Sequence, residues 1–223
     1  MFDKTDIKCR DLKCELIDKV ETSSLYREAY VKSAGSLLLS VVKEGCKKLT
    51  VTAADCSDGI ISAALNLSIS LAQMGQKVLF INADFANEER LAAVLGGRRA
   101  GLYDALGNNA ALGECLISYQ ADLDILTAGA NVPNRQSLLV SPEFSKSEES
   151  LCAEYDWIIF AAPPVNKFVD AALINRVCDA SVLIVDKQRD RVSDVAKAED
   201  ALKENFIGIV LENTKPKRFF KRA

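Results

Sequence analysis

The fold of this chain is decided by one strand–loop–helix stretch, LTVTAADCSDGIIS, which occupies residues 49–62. Its first six residues are apolar or β-branched and predict a buried strand, and a strongly apolar helix begins at Ile60. This order of elements is typical of a phosphate-binding loop, in which backbone N–H groups at the N-terminus of the helix face the ligand. A working loop also needs several glycines, a lysine and a hydroxyl for Mg²⁺. Only Gly59 and the displaced hydroxyl of Ser62 remain here.

Strands and helices alternate along the rest of the chain. Five further strands are predicted, at residues 77–81, 123–127, 157–162, 181–185 and 207–211. Helices are predicted at residues 60–74, 88–95, 147–155, 170–177 and 193–204, and a further one begins at Glu28 and ends at Gly45. Several strands are continuous apolar runs, which is typical of parallel strands that helices cover on both faces. We therefore predict an α/β domain with a doubly wound, mostly parallel sheet of about six strands, in three α/β/α layers.

The composition excludes several classes of site. The chain has 223 residues, no histidine and a formal net charge of −3. Histidine-dependent triads and histidine-ligated metal sites are therefore excluded, and no global charge favours nucleic-acid binding. The seven cysteines include no C-x-x-C pair, and the charged N-terminus is unlike a signal peptide. No apolar run approaches the roughly 18–20 residues that span a membrane, so we expect a cytoplasmic chain with free thiols.

Three segments are distinguished along the chain. Residues 1–27 are polar and of mixed charge and are interpreted as an N-terminal arm. Residues 28–214 carry the alternating elements of the domain, and residues 215–223 form a basic tail with two phenylalanines. The tail is either a solvated chain end or a contact for an anionic membrane surface or an acidic partner. Within the domain, the chemistry is expected at the carboxyl ends of the strands, in the segments 53–62, 82–90, 161–170 and 186–192.

Motifs spread over most of the chain, from Glu28 to Lys215, resemble those of one family. They are EAY at 28–30, LTVTA at 49–53, KVLFINAD at 77–84, GLYDALG at 101–107, LTAG at 126–129 and YDWIIFAAPPV at 155–165. In this order and spacing they are similar to the bacterial tyrosine kinases of capsule and exopolysaccharide systems, the CpsD/CapB-like proteins. The resemblance implies a P-loop NTPase-like fold, ATP with Mg²⁺ and autophosphorylation of C-terminal tyrosines. It also implies a membrane-anchored activator and control of polysaccharide export.

The residues on which that chemistry depends are replaced in this chain. The lysine of the family's loop falls on Ile60, and the Mg²⁺-binding hydroxyl falls on Ile61. The first carboxylate of the second acidic motif falls on Asn82, and the Asp-Thr pair of the Walker-B-like strand falls on Ala161 and Ala162. Phosphoryl transfer depends almost wholly on positioning and charge neutralisation, and single electrostatic losses in enzymes typically cost about 2–4 kcal/mol in the transition state. We therefore expect no catalytic residues.

Three retained residues define a vestigial site. Gly59 and Ser62 match the loop and are predicted to be the remaining nucleotide contacts, and Asp84 matches the second acidic residue and is the candidate metal ligand. Asp84 has an ordinary structural interpretation as well, a capping or solvated role, since a carboxylate at the end of a strand commonly caps a turn. Without the lysine, Asp55 and Asp58 are expected to place uncompensated negative charge beside the phosphate position. Cys56, in the same loop, is either an inert thiol or a reactive thiolate near the helix N-terminus.

Two features that the family uses for assembly and phosphorylation are also replaced. The N-terminal helix of the family carries two arginines of a ring interface, and those positions are Val31 and Ala34 here. The tail has Phe219 and Phe220 where the family has a cluster of tyrosines.

Three hypotheses about function follow from these departures. The first is a degenerate, non-catalytic tyrosine-kinase-like protein that acts through partner binding, associated with the membrane through a partner and with no cofactor expected. Its partner would be a membrane-anchored polysaccharide chain-length or activator protein, or an intact kinase paralogue. The second is a weakly active kinase or ATPase that still binds ATP and Mg²⁺ through backbone contacts and Ser62. The third is a relative of the positioning or division-site ATPases, which also need the lysine.

Overall fold

One seven-stranded sheet organises the part of the chain that the computed structural model describes, residues 16–18, 25–41, 43–55, 58–108, 112–130 and 134–212. The strands are β1 Lys47–Ala53, β2 Val78–Asn82, β3 Ile117–Gln120, β4 Leu123–Leu126, β5 Trp157–Ala161, β6 Ala180–Asp186 and β7 Phe206–Glu212. Their order is β3-β4-β2-β5-β1-β6-β7. All neighbours are parallel except β3 and β4.

The helices cover both faces of the sheet. They are α1 Leu25–Ser40, α2 Ile60–Gln73, α3 Glu88–Leu95, α4 Leu102–Asn108, α5 Arg135–Leu139, α6 Pro142–Cys152, α7 Val169–Asn175 and α8 Val192–Leu202. On one face of the sheet, a hydrophobic core forms between helices α1 and α2 and strand side chains such as Trp157 and Ile159. On the other face, a second core forms between the helices α4, α5, α6, α7 and α8 and strand side chains such as Ile158 and Phe160. Successive residues of β5 thus point into opposite cores, which is why its sequence is a continuous apolar run. The predicted α/β/α domain with a mostly parallel sheet is confirmed.

Five elements differ from the sequence-based expectation. Strand β3 was not predicted, because it is a short edge strand whose four residues are all at least partly exposed. Helix α6 begins five residues before the predicted Ser147, since Ser141 caps it by accepting a hydrogen bond from the Phe144 N–H and Pro142 occupies its first turn. Helix α1 ends at Ser40, not at Gly45, which adopts a positive φ of 78° just before β1. The short helices α4 and α5 were not predicted either.

Residues from the predicted N-terminal arm contact the domain. Leu16 and Ile17 are buried, and the Ile17 N–H donates to the side-chain oxygen of Asn66 in α2 at 3.0 Å. The boundaries at residues 27 and 214 stay predictions, and the basic tail 215–223 and Cys56 lie outside the described residues. Among the helices of the described ranges, none is both long enough and apolar enough to cross a bilayer.

Candidate functional site

The loop between β1 and α2 leads into the helix through Gly59. Gly59 is the N-cap residue of α2, and no side chain caps the helix there. The hydroxyl of Ser62 donates to the Gly59 carbonyl at 3.0 Å, so it is engaged within the first turn of the helix. The two predicted nucleotide contacts therefore lie together at the start of α2, and their role in binding stays a prediction.

The two positions that would carry the lysine and the Mg²⁺ hydroxyl are part of the hydrophobic core. Ile60 and Ile61 are both fully buried and belong to the core on the α1–α2 side of the sheet. Complete burial of such a side chain stabilises the fold by about 1.5–3 kcal/mol. The first turn of α2 therefore contributes to packing at the positions where the family places polar chemistry.

Basic residues from three other segments contact the acidic loop. Arg90 donates to the Asp58 carbonyl at 2.7 Å and to its carboxylate at 2.8 Å, and Arg189 binds the other carboxylate oxygen. Lys167 donates to the carbonyl of Asp55 at 2.6 Å. The expectation of uncompensated negative charge was therefore wrong for the Asp58 carboxylate. Sequence reasoning missed both arginines, although they lie in the segments 82–90 and 186–192 that were predicted to line the crevice.

A carboxylate from the last strand lies against the start of α2. A side-chain carbon at Gly59 would overlap the Glu212 carboxylate, so a larger residue there requires the end of the Glu212 side chain to move. Burial raises the pKa of Glu212, and Asp186 and Asp58 raise it further, whereas Arg90 lowers it. The N-terminus of α2 at Gly59 thus faces the carboxyl group of Glu212, an internal acidic side chain.

The amide at Asn82 belongs to a buried hydrogen-bond network. Its side-chain nitrogen donates to one carboxylate oxygen of Glu88 at 2.8 Å, and its oxygen accepts from the Asp84 N–H at 2.9 Å. The same Glu88 oxygen accepts from the Ala128 N–H at 3.0 Å, while its other oxygen is buried without a hydrogen-bond partner. Burial raises the pKa of Glu88. The family's carboxylate position is therefore filled by an amide that serves as donor to a second carboxylate.

The candidate metal ligand Asp84 caps a short 3₁₀ turn, residues 85–87. Its two oxygens accept from the Ala86 N–H at 3.1 Å and from the Asn87 side chain at 2.6 Å. Burial raises the pKa of Asp84, and these hydrogen bonds and Arg135 lower it. The capping interpretation is confirmed. Within the described ranges no three His, Cys, Asp or Glu side chains are grouped to hold a metal ion, and a metal at Asp84 stays a prediction.

A second buried carboxylate in the crevice is paired with a cation. Asp170, at the start of α7, accepts from Arg135 at 2.9 Å and from the Gln136 amide at 3.0 and 3.3 Å. Sequence reasoning missed both partners because helix α5 is only five residues long. The neighbouring positions Ala161 and Ala162 are fully buried at the end of β5.

The sheet order separates the predicted site residues into two groups. Gly59 and Ser62 follow β1, whereas Asp84 follows β2, and β5 lies between these strands. All three lie at the carboxyl edge of the sheet, as expected for a doubly wound fold. In the family's arrangement, β5 would supply the carboxylate between them, and in this chain it supplies Ala161.

Comparison with known proteins identifies the family. A family profile described as AAA domain matches residues 58–195. The tyrosine-protein kinase YwqD of Bacillus subtilis is 30% identical over 204 residues, which cover 90% of this chain and 86% of that protein. The tyrosine-protein kinase CpsD of Streptococcus pneumoniae serotype 4 is 31% identical over 204 residues, which cover 89% of this chain and 86% of that protein.

A solved structure supports the same assignment. The kinase domain of VpsO superimposes with a TM-score of 0.73 at 27% identity, covering 84% of this chain and 94% of that chain. Fold, order of motifs and sequence similarity over nearly the whole chain agree, and the chain therefore belongs to the CpsD/CapB family of bacterial tyrosine-protein kinases.

Proposed function

We propose that this chain is a non-catalytic member of its family that acts in capsule or exopolysaccharide assembly by binding another protein. The observation that carries the proposal is the complete burial of Ile60 and Ile61 in the hydrophobic core. A branched hydrocarbon cannot stabilise phosphate charge, and phosphoryl transfer depends on that stabilisation. The positions that would bind the triphosphate and Mg²⁺ contribute packing instead.

The electrostatics of the crevice support the proposal. The carboxylates of Asp84 and Asp170 have hydrogen-bond donors from the chain itself, and Asp58 is paired with two arginines. These three carboxylates, which could hold a cation or face a phosphate, thus have internal partners. Nucleotide binding would have to break these contacts without gaining a lysine or a metal-binding hydroxyl in return.

The test is isothermal titration of the full chain with ATP and Mg²⁺, with YwqD from Bacillus subtilis as the positive control. We expect no saturable heat up to about 1 mM ATP, which corresponds to a binding free energy weaker than about −4 kcal/mol. Micromolar binding would overturn the proposal.

The proposed partner is a membrane-anchored chain-length or activator protein, or an intact kinase of the same family. The intact scaffold around a replaced site supports this, because the fold persists where the polar residues of the site do not. Such a partner would place a cytoplasmic chain at the membrane. Co-expression with each candidate from the same genome, followed by size-exclusion chromatography, tests it. Co-elution without ATP is the expected result, and independent elution from both candidates would contradict it.

A second candidate function is weak nucleotide binding with residual tyrosine phosphorylation. The observation that favours it is the presence of Arg90, Arg189 and Lys167 around the loop, since these cations could exchange their internal partners for an anion. Incubation with ATP and Mg²⁺ and mass spectrometry of the chain distinguish the two candidates. Phosphate on any of the five tyrosines would favour the second.

A further inference from the structure

Two cysteines lie on neighbouring elements at the amino edge of the sheet, which is the edge opposite the loop of the candidate site. Cys46 immediately precedes β1, and Cys152 is the last residue of α6, the helix that leads into β5. Strands β1 and β5 are neighbours, with Lys47 opposite Trp157, and the Lys47 N–H donates to the Asp156 carbonyl at 2.9 Å. The start of β1 and the end of α6 are thereby held next to each other.

The side chains on these two elements face one another. Cys46 and Lys48 are two residues apart at the start of β1 and point to the same face of the sheet, and Glu148 and Cys152 are one helical turn apart in α6. The ammonium of Lys48 forms an ion pair with Glu148. This pair joins the two elements that carry Cys46 and Cys152. Both cysteines are partly buried and pack against the same core.

The two thiols influence each other electrostatically. The Cys46 thiol itself donates to the Lys47 carbonyl, at a sulfur–oxygen distance of 4.0 Å. Burial raises the pKa of Cys46 to about 12, with a contribution from the neighbouring Cys152, whereas Lys48 and Lys43 lower it. A third thiol, Cys178, lies close to Lys48 but is buried, and burial raises its pKa to about 12 as well. The pair at 46 and 152 is therefore the more accessible one.

We propose that Cys46 and Cys152 form a dithiol pair that is oxidised to a disulfide by peroxide. One thiolate attacks a peroxide oxygen, the O–O bond breaks, and a sulfenic acid and one water result. The second sulfur then attacks the sulfenic sulfur, the S–S bond forms, and the sulfenic oxygen leaves as a second water. Two thiols and one hydrogen peroxide thus give one disulfide and two waters. Because the thiolate is the reacting form, the reaction accelerates as the pH rises.

The disulfide would link two elements that are more than a hundred residues apart in sequence. It would attach the start of β1, which leads to the loop of the candidate site, to the end of α6. A cross-link that closes so long a loop restricts the unfolded chain, so the oxidised form unfolds at a higher temperature than the reduced form.

The test uses the full chain, reduced and then treated with hydrogen peroxide in small excess at pH 8, followed by peptide mapping without reductant. The expected product is a peptide pair joined through Cys46 and Cys152, two hydrogens lighter than the sum of its parts. Dithiothreitol reverses it and returns the midpoint of thermal unfolding to the reduced value. Because the unchanged chain is mapped, the result does not depend on whether a variant folds.

Matched variants separate the pair from other thiols. Cys115 is also partly buried and lies in a different part of the fold, so Cys115→Ser should leave the cross-link unchanged. Cys46→Ser should abolish it and leave Cys152 as a sulfenic or sulfinic acid. The proposal is overturned if Cys46 or Cys152 joins another cysteine, if both are oxidised without a cross-link, or if neither reacts.

Discussion

Restoring the family's carboxylate by Asn82→Asp is expected to destabilise this chain. In the structure the Asn82 amide nitrogen lies 2.8 Å from a Glu88 carboxylate oxygen, and both side chains are buried. The substitution removes a hydrogen bond to a charged acceptor, which contributes about 1.5–3 kcal/mol. It also places two carboxylates in contact, and at 2.8 Å their repulsion is about 6 kcal/mol at an effective dielectric constant of about 20.

The pair can relieve this repulsion by binding a proton, so the net loss in the free energy of unfolding is expected to be about 3–5 kcal/mol at pH 7.5. The shared proton raises the folded-state pKa of one carboxyl group above its unfolded value. The folded variant then binds more protons than the unfolded variant, and its stability falls as the pH rises through that raised pKa. The loss relative to the unchanged chain should therefore be smaller at pH 5 than at pH 7.5.

Urea unfolding of four proteins at the two pH values measures this effect. They are the unchanged chain, Asn82→Asp, Glu88→Gln and the double variant. The double variant exchanges donor and acceptor across the same contact, with the side-chain amide at position 88 as the donor. It should recover only part of the loss. The hydrogen bond between positions 82 and 88 and a single carboxylate are restored, but the amide nitrogen at position 88 cannot accept from the Ala128 N–H as the same Glu88 oxygen does. A loss below about 1 kcal/mol for Asn82→Asp, equal at both pH values, would refute the reasoning.

Three further predictions concern the same crevice. Gly59→Ala should lower the midpoint of thermal unfolding slightly, because the Glu212 carboxylate must move away from the added methyl group. Gly59→Ala should cause no such loss in a Glu212→Ala background, and an equal loss in both backgrounds would contradict the contact. Asp170→Asn leaves the Arg135 cation without its buried anionic partner and should lower the free energy of unfolding in urea by about 3–5 kcal/mol. A loss under about 1 kcal/mol would contradict a stabilising role for this ion pair. Glu88→Gln removes a carboxyl group whose pKa is raised by burial. Because the unchanged chain loses stability as the pH rises through that pKa, the free energy of unfolding of the variant should increase relative to that of the unchanged chain from pH 5 to pH 8. Parallel pH profiles would show that this pKa is not raised.

The main elements of the fold could be predicted because local patterns carried them. Strands such as β5 are buried on both faces, and their continuous apolar runs are visible without any knowledge of neighbours. Strand β3 is not predictable in this way, because an edge strand with half-exposed residues has no continuous apolar run. Helix α5 is not predictable either, because five residues are too few to show helical periodicity.

The sequence by itself determined which side-chain types lie at the ends of the strands. Ile60 and Asn82, at positions that the resemblance assigns to a lysine and a carboxylate, are visible once the motifs are aligned on the ends of the strands. Local sequence was sufficient for this step, because each motif directly follows its own strand and can be recognised without knowing which distant residues contact it.

Only the tertiary structure decided which side chains surround those positions. Arg90 and Arg189 reach Asp58 from two other loops, and Glu212 reaches Gly59 from the edge strand β7. These contacts depend on a strand order of β2-β5-β1-β6-β7, which brings the carboxyl ends of distant segments to one edge. No local pattern encodes such pairings, because charge compensation and close approach act between side chains that the sequence separates and the sheet brings together.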